Sequence, residues 1–111
     1  MSILEELNSL LSAVVAVSTG AYLDAPVDEY VVLTPLSAEF EVYADNLPEE
    51  NIEEVRVSLF SKKNYIQRKN QLVRLLLQAD FTITGRRYAG FEPDTKYHNY
   101  AIDVAKISNE I

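Results

Sequence analysis

The side chains best suited to catalysis are sparse and scattered. The one histidine, His98, stands in the tyrosine-rich stretch Tyr97-His98-Asn99-Tyr100, in a chain with no cysteine. A zinc centre needs several nitrogen or sulfur ligands, and a Ser–His device needs a nucleophile and an orienting acid beside the ring. Neither partner set is spaced around His98, so it reads as a surface or interface side chain. Without cysteine there is no disulfide, no thiolate ligand and no thiol nucleophile. Gly20, Gly85 and Gly90 match neither the phosphate-cradling loop nor the dinucleotide fingerprint and read as turn or strand-end positions. The pairs Glu49-Glu50 and Glu53-Glu54 lack the alternating ligands and central glycine of a calcium loop, which leaves at most a weak ion contact between subunits. Acids such as Asp94 and Asp103 have no nucleophile, base and oxyanion donor gathered with them by sequence. No catalytic residue, metal site or cofactor is expected, and the chain does not read as an enzyme.

Charge is more informative. Residues 1–55 carry twelve acidic side chains and no Lys or Arg, whereas all ten basic residues lie in 56–111 beside five acids, within a net charge of −7. Seven of them form two clusters, Lys62-Lys63 with Arg68, Lys69 and Arg74, and Arg86-Arg87. A nucleic-acid reader would be basic overall, so specific nucleic-acid binding ranks below protein contact. Two accounts of the asymmetry stay open. The two halves neutralise each other inside one domain, or an acidic surface of one subunit meets a basic surface of the next, which repeated head to tail makes a ring or filament.

The elements that would position these residues follow from periodicity. The chain has 111 residues, 48% hydrophobic and 24% charged, the profile of one folded domain spanning 1–111. Ser2 and Glu5 have capping-box spacing, and Ile3, Leu4, Leu7, Leu10 and Leu11 predict a helix over 3–12. Val14–Ser18 and Glu29–Thr34 predict strands, the second stopping at Pro35. Alternation of Phe40, Val42 and Ala44 with Glu39, Glu41, Tyr43 and Asp45 predicts a strand after it, and Val55, Val57 and Leu59 predict another. Asn64 and Gln67 start a helix over 65–79 whose buried stripe is Ile66, Leu72, Val73, Leu76, Leu77 and Ala79, with Arg68, Gln71, Leu75 and Gln78 on the other side. Phe81–Thr84 and Tyr97–Val104 close the chain as a hairpin. The expected fold is α+β, a mixed, mainly antiparallel sheet with two helices on one face, in the order α-β-β-β-β-α-β-β. Tyr30, Val32, Phe60, Ala101 and Ala105 then point outward, either into a subunit interface or under the chain's own loops. No basic leader and no apolar run near ~20 residues is seen, so neither export nor membrane insertion is expected.

A resemblance covers Asp28 to Lys106. Asp28–Ser37, Tyr43–Asn46, Ser58–Lys62, Asn64-Tyr65 with Arg68-Lys69, Ala79–Ile83, Arg86–Tyr88 and Tyr97–Lys106 follow one another as in small tail-cluster proteins of phages and prophages of Gram-positive bacteria. The chain resembles their tail terminator, or tail-completion, class. The resemblance implies a virion protein of the tail–neck junction, made in the bacterial cytoplasm. Such a protein caps the tail tube as a ring, hexameric in related systems, stops tube growth and joins the tail to the head connector. It implies as partners further copies of itself, the major tail tube protein and a neck protein, with DNA passing through the ring without specific binding. On this reading some of Lys62, Lys63, Arg68, Arg86 and Arg87 face acids of a neighbouring subunit, and Glu53, Glu54, Tyr30 and Phe60 are further candidates for the contact. A head–tail adaptor is the nearest alternative, and a small-molecule-binding regulatory α+β domain is the alternative of another class.

Overall fold

A computed structural model describes residues 3–19, 27–39 and 51–108. Its elements are α1 (Ile3–Leu11), β1 (Ala16–Thr19), β2 (Glu29–Glu39), β3 (Asn51–Ser61), α2 (Tyr65–Gln78), β4 (Thr82–Phe91) and β5 (His98–Ser108). The strands form one sheet in the order β1-β2-β3-β5-β4. Only β1 and β2 run parallel, and every other neighbouring pair is antiparallel. The fold is therefore α+β with a mixed, mainly antiparallel sheet. The strand expected over Phe40–Asp45 lies outside the described residues, as does Ser2 of the first capping box.

Alternation along the strands decides which side chains meet the helices. Val31 and Leu33 of β2, Val55, Val57 and Leu59 of β3, and Ile102 and Val104 of β5 are buried on one face, together with Leu7 and Leu11 of α1 and Leu72 and Leu76 of α2. Burying side chains of this size contributes on the order of 1.5–3 kcal/mol each before the entropy of ordering them is charged. The two helices thus share one face of the sheet.

Pro35 does not end β2. Pairing with β1 stops at Leu33, so beyond it one side of β2 has no strand partner among the described residues, and a missing backbone N–H on that side breaks no described ladder. On its other side Pro35 lies opposite Val55, and the register shifts between Pro35 and Ala38. Asn64 caps α2, its Oδ1 accepting the Gln67 N–H at 3.2 Å. At the other end Asp80 adopts φ 67°, while the Phe81 and Asp80 N–H groups donate to the carbonyls of Leu76 and Leu77. This left-handed cap, usually a glycine's position, turns the chain from α2 into β4 and seats Phe81 in the core beside Leu76.

The buried stripe of α2 is rotated from the expected one. Leu72 and Leu76 are fully buried and Leu75 packs on the core, whereas Ile66 is 51% and Leu77 56% exposed. The helix has more apolar residues than one face can bury, so periodicity alone allowed two stripes; the sheet admits the one centred on Leu72 and Leu76. Val73 and Ala79 pack partly buried on the core as expected, and Val73 together with the exposed Leu77 also flanks β4 beside Ile83 and Gly85.

The opposite face of the sheet carries a second, smaller core. Tyr30 and Phe60 are directly opposed across β2 and β3, with rings stacked at 4.9 Å, and Tyr97 packs edge-on against both. Val32 is buried with them, Val27 packs alongside, and the Tyr97 hydroxyl donates to the Val27 carbonyl.

Candidate subunit-contact site

The charge asymmetry of the sequence is partly consumed inside the fold. Arg68, on α2, donates from Nε and Nη2 to Glu29 Oε1 at 3.1 and 3.0 Å, and from Nη1 to Gln71 Oε1 at 2.6 Å. Glu29 Oε2 accepts from the buried Ser61 hydroxyl at 2.8 Å, whose oxygen in turn accepts the Lys63 N–H. Lys63 Nζ lies 3.6 Å from Asp28 at an exposed position, and Lys106 Nζ pairs with Glu6 of α1. Each of these pairs joins an acid of the first half to a base of the second. Arg56 is held by Asp103 across β3 and β5, at 2.8 and 3.1 Å. The hydrogen bonds to that carboxylate, and then its charge, raise the Arg56 pKa further above its ordinary value.

The expected contact residues therefore separate into groups. Arg68 is occupied by Glu29 of its own chain, and Lys62 lies over the Tyr97 ring at 4.9 Å. Tyr30 and Phe60, 4% and 3% exposed, spend their ring faces on each other and on Tyr97. Glu53 and Glu54 point to opposite faces, Glu53 opposite Lys106 and Glu54 opposite Ala105.

Arg86 and Arg87 are different. Both are exposed, and neither forms an ion pair among the described residues. They sit on β4, whose far side has no strand partner among the described residues. Register places Arg86 opposite Ile102 on the helix-bearing face and Arg87 opposite Ala101 on the other. The two arginines that look like one cluster in the sequence thus straddle the sheet edge. Bulges between Ile83 and Gly85 and between Tyr88 and Gly90 bracket a regular stretch, Gly85–Tyr88, around them.

Apolar side chains gather beside this edge, and sequence reasoning missed them. Leu77, Tyr88 and Phe91 are each roughly half exposed. Val73, Leu77, Ile83, Thr84, Gly85 and Arg86 line a shallow trough of about 310 Å³ between α2 and β4. Farther along, Tyr65 stacks on Tyr88 and His98 at 5.2 and 5.0 Å, and the Tyr88 hydroxyl lies 2.9 Å from His98 Nδ1. His98 is thus a member of an aromatic cluster. The available signal was the surplus of apolar residues on α2, which could not all be buried.

A second hollow, about 350 Å³, lies at the start of α2 among Glu29, Lys63, Asn64, Gln67, Arg68 and Gln71. Its convergent polar groups are largely bonded to one another through the Arg68–Glu29, Arg68–Gln71 and Asn64–Gln67 contacts. Among the described residues no three His, Cys, Asp or Glu side chains are grouped to hold a metal ion. No described helix is long and apolar enough to cross a membrane. No family model matches the chain, and no curated protein matches it.

Proposed function

We propose that this chain is a structural subunit of a long-tailed phage or prophage virion, the tail terminator, which closes the tail tube as a ring of identical subunits and joins it to the head connector. The observation that carries the reading is the ordered run of family-like stretches from Asp28 to Lys106. Tyr43–Asn46 lies outside the described residues, and the other stretches fall on or beside β2, β3, α2, β4 and β5. The work is binding, and its requirement is two complementary surfaces on each subunit, since a head-to-tail contact closes into a ring when its rotation closes. An exposed basic edge on an acidic protein supports that requirement.

Native mass spectrometry of the purified protein, across concentration and at low and high salt, tests this first. A closed hexamer that loosens with salt is the expected result. A monomer under every condition would sink the self-assembling ring. A ring that binds neck components but not tail tubes would move the assignment to a head–tail adaptor.

A further inference from the structure

We propose that the sheet continues from one copy of this chain into the next, with β4 of one copy, at Gly85–Tyr88, pairing antiparallel with β1, Ala16–Thr19, of a second copy. The inference rests on the ring reading for the existence of self-assembly and names the surfaces that make the contact.

Topology supplies both surfaces. β1 and β4 stand at opposite ends of the sheet, and neither has a second strand partner among the described residues. They offer stretches of equal length, since β1 is Ala16–Thr19 and the bulges of β4 leave Gly85–Tyr88 as its regular part. β1 and β2 are parallel and the other neighbouring pairs antiparallel, so β4 runs opposite to β1. A second copy set beside the first in the same orientation therefore joins its β1 to β4 as an antiparallel ladder, the more stable kind. The joined surfaces differ, so each contact leaves a β4 at one end and a β1 at the other, and repetition closes a ring when the rotation closes.

Charge selects unlike ends. β4 contains Arg86 and Arg87 and no acid, and neither arginine forms an ion pair among the described residues. Two β4 edges brought together would set arginines against arginines, and like charges on facing strands are destabilising. The β1 end is the complement. Residues 3–19, which form α1 and β1, include Glu5 and Glu6 and no Lys or Arg. Glu6 holds Lys106 of its own chain, yet β1 itself carries no charge, proline or bulge of the kind that guards a sheet edge.

The side chains match face by face. Pairing with β2 puts Val17 and Thr19 on the helix-bearing face with Val31 and Leu33, and Ala16 and Ser18 on the other. On β4, Arg86 and Tyr88 lie on the helix-bearing face and Arg87 on the other. Antiparallel pairing with the helices on one side sets the small Ala16 or Ser18 beside Arg87, which leaves its long side chain room. It also brings Val17 or Thr19 to the trough lined by Leu77, Ile83 and Arg86.

The absence of cysteine makes the test direct. Facing side chains on neighbouring strands have Cβ atoms about 4.5–5.5 Å apart, close enough to bridge with slight adjustment. Chains carrying Arg87→Cys are mixed with chains carrying Ala16→Cys, Ser18→Cys or Val17→Cys and oxidised. The expected result is a mixed disulfide with Ala16→Cys or Ser18→Cys, and none with Val17→Cys, which lies on the other face. In parallel, Arg87→Glu and Ser18→Lys should each weaken self-association about tenfold or more. Mixing the two should recover most of the loss, because alternating copies then pair Arg87 with Ser18 at one contact and the two exchanged charges at the next. Circular dichroism confirms that each variant is folded. Disulfides joining two Arg87→Cys chains or two Ser18→Cys chains, in place of the mixed one, mean that like ends pair and overturn the proposal. An oligomer that forms without any such cross-link overturns the docking and leaves the ring reading intact. A chain monomeric throughout, with no cross-link, overturns both.

Discussion

Arg68 and Lys63 show how the same charge pairing has different weight at two positions of one surface. Glu29 is mostly buried and accepts from both Arg68 and Ser61, so removing Arg68 strands a carboxylate that has already lost water. Arg68→Ala should cost about 1.5–3 kcal/mol in urea unfolding. Lys63→Ala removes an exposed pair and should leave the urea midpoint nearly unchanged. Equal effects from the two substitutions would contradict the burial argument. Arg56 adds a sign constraint. Its folded-state pKa is raised, so its pairing with Asp103 contributes fully below the ordinary guanidinium pKa and is lost only as pH rises through the higher folded value. Stability between pH 6 and 9 should therefore carry no slope from Arg56, and an unchanged Arg56→Gln difference across that window would show it.

Among the elements, α2 ends on a residue that pays for its conformation. Asp80 holds a left-handed φ and places a carboxylate at the negative end of the helix dipole. Asp80→Gly should stabilise the protein by about 0.5–1 kcal/mol, read as a higher melting temperature, because glycine takes that conformation without a Cβ clash. The two sides of α2 make a second contrast. Leu76→Ala should cost about 2–5 kcal/mol, since Leu76 is fully buried in the main core. Leu77→Ser should leave unfolding almost unaffected while weakening self-association, because Leu77 is exposed beside β4. Sedimentation alongside thermal melts separates the two effects.

For the whole molecule, charge acts at two ranges. The pairs Arg68–Glu29 and Lys106–Glu6 are partly shielded and belong to folding, while Arg86 and Arg87 are exposed and, on the proposed ring reading, act in encounter between molecules. Screening separates them, since the Debye length falls to a few ångströms near 1 M salt. Raising sodium chloride from about 50 mM to about 500 mM should weaken assembly by roughly tenfold or more yet shift the urea midpoint little. A parallel fall of both would mean that the exposed arginines serve folding instead.

The sequence by itself determined the α+β class, both helices and the inward face of the sheet. Those follow from local periodicity and caps: Val55, Val57 and Leu59 alternate wherever the strand is placed, and Asn64 caps a helix through its own neighbour. It also determined the acidic-to-basic division. Tertiary structure alone decided which charges meet. Glu29 and Arg68 are 39 residues apart and Glu6 and Lys106 100, separations at which no local pattern carries information. It also decided that Pro35 lies within a strand, because only the strand order shows that β2 has no partner on one side there among the described residues. The same holds for Tyr30 and Phe60, which alternate like exposed residues but are covered by Tyr97 from a distant turn. Arg86 and Arg87 became a candidate contact for the same reason: adjacency in a strand sends side chains to opposite faces, and only the order of the described strands puts β4 at the end of the sheet.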